Sequence, residues 1–283
     1  MNSFLALSKP RISLMVAITA FAGYRLAQIS VDQMQQDRAW WICAAVLIMS
    51  SSASAFNQIM ERNLDAKMRR TSKRPLVMGS ISMKEAWIFG ILSFGLGLSL
   101  MQWKGNLPSV GLLLLTFFSY VLLYTPLKQT STLNTLIGAV PGALPPLIGW
   151  VAVTSKIEMG GAILFAILFF WQLPHFLAIA WLYREDYRNA GMSMITNSLD
   201  SGAFVGRHAF LYCFALIPVA MFPTLTGMAG NVYFFGSIFL GLFLLLLTFR
   251  FLRSQTQSNA RQVLLGSVIY LPALLTLLMM DSM

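Results

Sequence analysis

Apolar residues run along this chain in blocks of about twenty, separated by short polar stretches, and these blocks predict the elements. Nine runs cover approximately 12–30, 39–58, 86–104, 108–124, 133–153, 160–182, 209–227, 231–252 and 262–280. Roughly twenty apolar residues of helix cross the hydrocarbon core of a bilayer, so each run predicts one membrane-spanning α-helix. Pro145, Pro146, Pro174, Pro218 and Pro223 fall inside runs, which a bundle tolerates because neighbouring helices re-satisfy the freed backbone groups. The runs lack the short alternating segments of an outer-membrane barrel. The predicted fold is therefore all-α: a polytopic membrane protein with nine transmembrane helices in one bundle around a central cavity. Residues 1–283 form a single domain, and two long polar loops interrupt it at about 59–85 and 183–208.

Composition agrees with that class. Hydrophobic residues make up 57% and charged ones 11%, whereas a soluble chain carries roughly a quarter charged residues. The net charge of +10 would suggest a nucleic-acid partner in a soluble protein. In a membrane chain it marks loops that face anionic lipid, so the expected partner is the bilayer and no nucleic acid. Cys43 and Cys213 both sit in apolar runs without metal-ligand spacing and read as packing residues. No cleavable signal or transit-type composition precedes the first run, which points to a bacterial inner (plasma) membrane.

The basic residues then orient the bundle. With a cytoplasmic N-terminus, the lead segment and the loops after spans 2, 4, 6 and 8 hold 16 of the 20 Lys and Arg residues. Only Arg25, Arg38, Lys104 and Lys156 lie on the other side. The positive-inside rule therefore places the N-terminus and both long loops in the cytoplasm.

The candidate chemistry gathers at that face. Asn57, Glu61 and Asp65 are spaced i, i+4, i+8, a register that drifts by about 40° per step and keeps all three on one helix face. Arg69, Arg70, Lys73 and Arg74 follow within the same stretch, NQIMERNLDAKMRRTSKRPL. The second loop opens YREDYRNAGMSM, placing Glu185 and Asp186 between Arg184 and Arg188. Such clusters are often solvated loop salt bridges. Here the helical register and a second acidic group on the same side favour a site instead. Carboxylates and an amide oxygen suit Mg²⁺, which binds through one or two carboxylates plus substrate phosphates. The bases would hold the remaining phosphate oxygens. No EF-hand loop is present, and the two histidines lie far apart.

His175 is polar within span 6, and His175, Ile179, Leu182 and Asp186 follow i, i+4, i+7, i+11, which would put the histidine beneath the acidic cluster on one helix face. Bundle hydrogen bonding is its ordinary alternative, as it is for Asn134 and Gln172. His208, beside Arg207, reads as a surface residue.

The stretch from Asn57 to Leu76 resembles the first aspartate-rich motif of the UbiA-type intramembrane prenyltransferases, in particular the branch that farnesylates protohaem IX. SKPRIS, YTPLKQTSTLNTLIGAVPGALPPLIGW and WQLPHFLAIAWLYREDYRNAGMSM resemble the same branch at the start of span 1, in the middle motif and in the second motif. The likeness covers nearly the whole chain. Asn63 departs from it where relatives carry Asp, Gln129 and Ser131 where many are more basic, and Met192-Ser193-Met194 replaces a Gly-x-Pro-Met turn.

The resemblance implies a Mg²⁺-dependent prenyltransferase with farnesyl diphosphate and haem b as substrates. Metal ligands would be Asn57, Glu61, Asp65, Glu185 and Asp186. Diphosphate contacts would come from Arg69, Arg70, Lys73, Arg74 and Lys128. His175 is implied as a catalytic or haem-contacting group, and Tyr124, Asn134, Trp171, Arg184 and Tyr187 as substrate-contacting ones. Phe176 and Trp181 join Tyr124 and Trp171 as aromatic candidates for shielding a cation. A haem A synthase or a terminal oxidase would be a natural protein partner. A quinone-precursor acceptor would use the same diphosphate machinery. A transporter would instead place ionisable residues at the bilayer midplane, where this chain has almost none.

Overall fold

The computed structural model describes residues 2–31, 38–197 and 201–283. Among these residues, nine helices are long and apolar enough to cross a membrane. In chain order the helices are α1 (Asn2–Leu7), α2 (Pro10–Ser30), α3 (Ala39–Asp65), α4 (Met83–Lys104), α5 (Leu107–Phe118), α6 (Thr125–Thr130), α7 (Asn134–Thr154), α8 (Met159–Leu182), α9 (Arg184–Asn189), α10 (Ser201–Leu225), α11 (Asn231–Arg253) and α12 (Gln257–Met280). No strand occurs among the described residues; the sole β-feature is an isolated bridge between Ala229 and Ser282.

Several helices run past the hydropathy edges. α3 has 27 residues and reaches Asp65, about 40 Å of helix against about 30 Å of hydrocarbon. The helix is thus about two turns longer than the apolar layer requires, and its last two turns carry Glu61 and Asp65, which lie on the helix and not in a loop. α12 begins at Gln257, where Thr256 caps it by accepting the Asn259 amide at 3.2 Å. α10 begins at Ser201 and shortens the second polar loop. Hydropathy registers where a helix stops being apolar, not where it stops being a helix.

α2 and α7 form the closest seam. A Cβ on Gly149 would collide with the backbone of Ala20 and Tyr24, and one on Gly23 with the Pro146 carbonyl. Such backbone approach is how helices bind one another where lipid removes the hydrophobic drive. α3 packs on α2 and α4, and α8 connects α7 to α10 and α12. The main core cluster draws on nearly all the long helices, from Ala20 in α2 to Leu278 in α12.

Outward faces are apolar, as a lipid-facing surface requires: Ile88, Ile91, Leu92 and Leu96 of α4 are exposed. At the end remote from Asp65, Trp41 meets Trp103 edge-on at 5.4 Å and the Lys104 ammonium lies 3.8 Å from the Trp103 ring. An aromatic pair with a cation is typical of a membrane–water boundary.

Between α5 and α6 the chain widens into a π-helical turn, Ser119–Tyr124. Pro126 explains it: the ring supplies no amide for the preceding turn, and the Thr125 amide bonds instead to Tyr120, five residues back. Such turns often mark functional positions because they re-aim the residues that follow.

Candidate active site

The register of Asn57, Glu61 and Asp65 turns that face of α3 inward, and all three are at most 3% exposed. This degree of burial excludes a solvated salt-bridge face. Three cations from three different segments meet them. Lys128 of α6 donates to Glu61 Oε1 at 2.7 Å. Arg74, from the loop after α3, pairs with Asp65 Oδ2 and stands 3.9 Å from Glu61. Lys9 donates to Asn57 Oδ1 at 2.9 Å. Two carboxylates thus face three basic side chains, and the surplus positive charge suits a polyanion.

Lys9 belongs to this cluster although its position in the chain gives it no helical register with α3. It caps α2 with φ 48° and ψ 61°, a left-handed conformation uncommon for a residue with a side chain. Pro10 follows as the first helical residue, which suits its fixed φ. Gln58 secures the approach by donating to the Leu7 carbonyl at 2.8 Å. Burial, with Arg74 and Lys128 adding repulsion, lowers the Lys9 ammonium to a pKa of about 7. The sequence signal was the Lys-Pro pair in SKPRIS, without anything to say which way its side chain points. Thr125 is a second unforeseen member: its hydroxyl accepts from Asn57 Nδ2 at 3.2 Å and donates to the Tyr120 carbonyl at 2.9 Å.

Tyr124 stays at the site. The Lys128 ammonium lies 4.5 Å from its ring centroid, and the Tyr120 ring packs 5.3 Å away.

The second acidic motif reaches the first through Arg70. Asp186 Oδ2 accepts the Arg70 backbone amide at 3.2 Å, and the Arg70 side chain donates to the Tyr187 hydroxyl at 3.4 Å. Burial pushes the Tyr187 phenol upward. Arg70 also lies over the Tyr183 ring at 4.9 Å. Arg69, Arg70, Leu182, Tyr183, Glu185 and Asp186 line one cleft, while Lys73 remains exposed on its loop. The implied diphosphate contacts therefore divide: Arg74 and Lys128 belong to the inner cluster, and Arg69 and Arg70 to the outer cleft.

A small core joins the loops beneath this cleft. Met68, Ala190 and Met192 are buried together, with Leu64, Tyr187 and Met194 packed around them. Gly191, at φ 73°, ends α9 in a Schellman turn. Its amide bonds to Arg188 and that of Met192 to Tyr187, both at 3.0 Å. The Met-Ser-Met departure is thus accommodated by a turn that sends Met192 inward.

The helix-face argument for His175 changes, and Arg184, Trp181 and Asn134 have protein partners. The helix-face argument that put His175 beneath Asp186 crosses a break: α8 ends at Leu182, Tyr183 leaves helical geometry, and Asp186 lies on the separate α9. His175 instead faces α12, with Nδ1 2.8 Å from Ser267 Oγ and its ring stacked on Trp171 at 5.4 Å. The Trp171 indole donates to the Ser267 carbonyl at 2.7 Å. Arg184, implied as a substrate contact, caps α8 by donating to the Trp181 carbonyl at 2.9 Å and stacks on that indole at 4.6 Å. Trp181 itself donates to the Gln255 carbonyl at 2.8 Å. Asn134 is 1% exposed and gives its amide protons to the carbonyls of Ser131 at 2.6 Å and Ser193 at 2.9 Å. His208 stacks on Phe204 at 3.8 Å and bonds to the Phe204 carbonyl, as a peripheral residue does.

Among the described residues, no three Asp, Glu, His or Cys side chains lie together in a way that would hold a metal ion. A closed protein cage is therefore absent there. The donor set still fits Mg²⁺ of the open kind, which takes one or two carboxylates and completes its shell with substrate oxygens and water. Asp65 Oδ1 is buried without a hydrogen-bond partner, a hard oxygen in a cluster of cations.

The profile of the UbiA prenyltransferase family matches residues 16–271. The chain is 35% identical to the protoheme IX farnesyltransferase of Koribacter versatilis over 293 residues, covering 99% of this chain and 93% of that protein. Its fold superposes on a solved structure of digeranylgeranylglyceryl phosphate synthase with a TM-score of 0.82 at 16% identity, over 99% of this chain and 97% of the other. A UbiA homologue from Archaeoglobus fulgidus, solved with GPP and Mg²⁺ bound, superposes with a TM-score of 0.65 at 14% identity, over 98% and 99% of the two chains. At these identities the two structures speak to the fold alone.

Proposed function

The chain belongs to the UbiA prenyltransferase family, and on that premise we propose that it transfers the farnesyl group of farnesyl diphosphate to a vinyl group of haem b. The observation that carries this reading is the buried meeting of Asn57, Glu61 and Asp65 with Lys9, Arg74 and Lys128 at the end of the bundle. The reaction breaks the C1–O bond of the farnesyl group, and the electron pair leaves with diphosphate. The vinyl π electrons form the new C–C bond to the allylic cation, and water then adds to the haem side chain with loss of a proton.

Glu61 and Asp65, with Asn57, would hold Mg²⁺ at the inner cluster, and Glu185 and Asp186 would hold it at the outer cleft; when bound it would supply positive charge to the leaving diphosphate. Lys128 and Arg74 each sit beside a carboxylate and present their remaining donors to phosphate oxygens. Lys9 adds a third donor from the α2 side. Tyr124 and Tyr120 shield the allylic carbon from water and present π faces to its positive charge. Trp171 and His175, held by Ser267, offer an aromatic face and an imidazole nitrogen to the flat haem acceptor. The distribution of the basic loops supports a site that opens toward the cytoplasm of a bacterial plasma membrane. A haem A synthase or a terminal oxidase is the fitting recipient of the product.

Purified protein incubated with haem b, farnesyl diphosphate and Mg²⁺ yields a haem heavier by a farnesyl group and a hydroxyl group, read by mass spectrometry. Unmodified haem after many enzyme equivalents of substrate would refute the reading. Lys9→Met removes one charge-assisted contact and weakens farnesyl diphosphate binding by about 10- to 100-fold. Calorimetry with Mg²⁺ present measures it, and an unchanged affinity would take Lys9 out of the cradle.

A further inference from the structure

We propose that Asn134 and Ser193 act as positioning residues: together they clamp the end of α6 so that Lys128 stays against Glu61, and they tie the second polar loop to the same cation. The inference rests on the diphosphate site described above, and no motif of the sequence points to it.

α6 has only six residues and ends at Thr130. A helix leaves its last carbonyls without intrahelical partners, and in so short a helix they are most of its backbone. The Ser131 amide takes one of them, donating to Leu127 at 2.9 Å. The next two are taken by a single residue more than sixty positions away. Ser193 donates its amide to the Lys128 carbonyl at 2.7 Å and its hydroxyl to the Gln129 carbonyl at 2.8 Å. Asn134 then holds Ser193 in place, since its amide group bridges the Ser193 carbonyl at 2.9 Å and the Ser131 carbonyl at 2.6 Å. The Asn134 oxygen accepts from Thr135 at 3.3 Å, so the side chain is engaged at both ends. The clamp thus fixes the backbone of the residue whose ammonium meets Glu61 at 2.7 Å.

The same loop is fixed on its other side. Met192, next to Ser193, is buried against Met68 of the first loop. This adjacent pair therefore docks on the first loop through Met192 and on α6 through Ser193. Whatever moves the Asp186 loop moves the support of Lys128 with it. The hydrogen bonds of Asn134 and Ser193 go to backbone carbonyls and to the neighbouring Thr135 hydroxyl, so they act through Lys128 and not on the substrate.

The test is a double-mutant cycle read as the dissociation constant for farnesyl diphosphate with Mg²⁺, which needs no haem turnover and so stands or falls separately from the choice of acceptor. Asn134→Ala and Ser193→Ala each weaken binding by about five- to tenfold, the size of one or two lost hydrogen bonds. In a Lys128→Ala background the same changes cost less than about twofold, because the residue they position is gone. Full additivity in that background would overturn the proposal, and so would unchanged affinity in either single variant. Ser193→Ala keeps its backbone amide and the Met192 anchor, so it carries the test if Asn134→Ala does not fold.

Discussion

Replacing Asp65 with Ala or Glu61 with Gln abolishes farnesylated haem, with the protein still inserted in the membrane. Each change acts where the charge balance is most delicate. Asp65 pairs with Arg74 through one oxygen and keeps the other buried without a partner. Glu61 stands between Lys128 and Arg74. Removing either carboxylate takes away a hard donor for the divalent ion and frees a cation to close onto its neighbours. Loss of a single preorganised electrostatic group costs about 10²–10³ in rate, and loss of the metal's ligand adds to it. The helices themselves are anchored elsewhere, by the α2–α7 seam and the main core. Product haem measured by mass spectrometry, alongside membrane yield, checks the pair of outcomes. Normal farnesylation in either variant would show that these carboxylates do not hold the ion.

The second large effect is structural. Gly149→Val prevents assembly of the bundle, because its side chain would have to occupy the backbone of Ala20 and Tyr24. Ordinary overpacking costs about 1–3 kcal/mol and is relieved by neighbouring side chains moving. Here the obstacle is main chain, and relief requires separating α2 from α7. That separation disconnects Lys9 at the start of α2 from the rest of the cluster. Gly95→Ala and Gly111→Ala serve as matched controls, since a Cβ at either meets nothing within 4 Å. Size-exclusion profiles and melting in detergent distinguish the outcomes: the controls match the parent, and Gly149→Val gives aggregated or low-melting protein. A parent-like melting curve for Gly149→Val would mean that the seam is looser than described.

Gln172, which donates to the Ala139 carbonyl at 2.7 Å, and Asn134 illustrate how polar residues in spans read alike in a sequence. A polar side chain inside an apolar run signals that something must satisfy it, and the signal is the same for a substrate and for a carbonyl one helix away. Asn134 is the clearest instance. Its position in a shared motif suggested substrate contact, while its hydrogen bonds go to Ser131 and Ser193.

The class of the protein was decided by the sequence alone. Runs of twenty apolar residues have one stable form in a bilayer, and helical periodicity alone puts Asn57, Glu61 and Asp65 on one face. Those are local properties, carried by spacing along a single helix. Tertiary structure decided the rest of the site. Lys9 joins through a left-handed turn, Arg74 through a loop that folds back on α3, and Lys128 through a π turn followed by the short α6, whose end is capped by Ser193. Each of these depends on a partner distant in the chain and on a backbone that leaves the regular helix. No periodicity in the sequence encodes such departures, because they are set by which carbonyls and charges must be satisfied once the helices have packed.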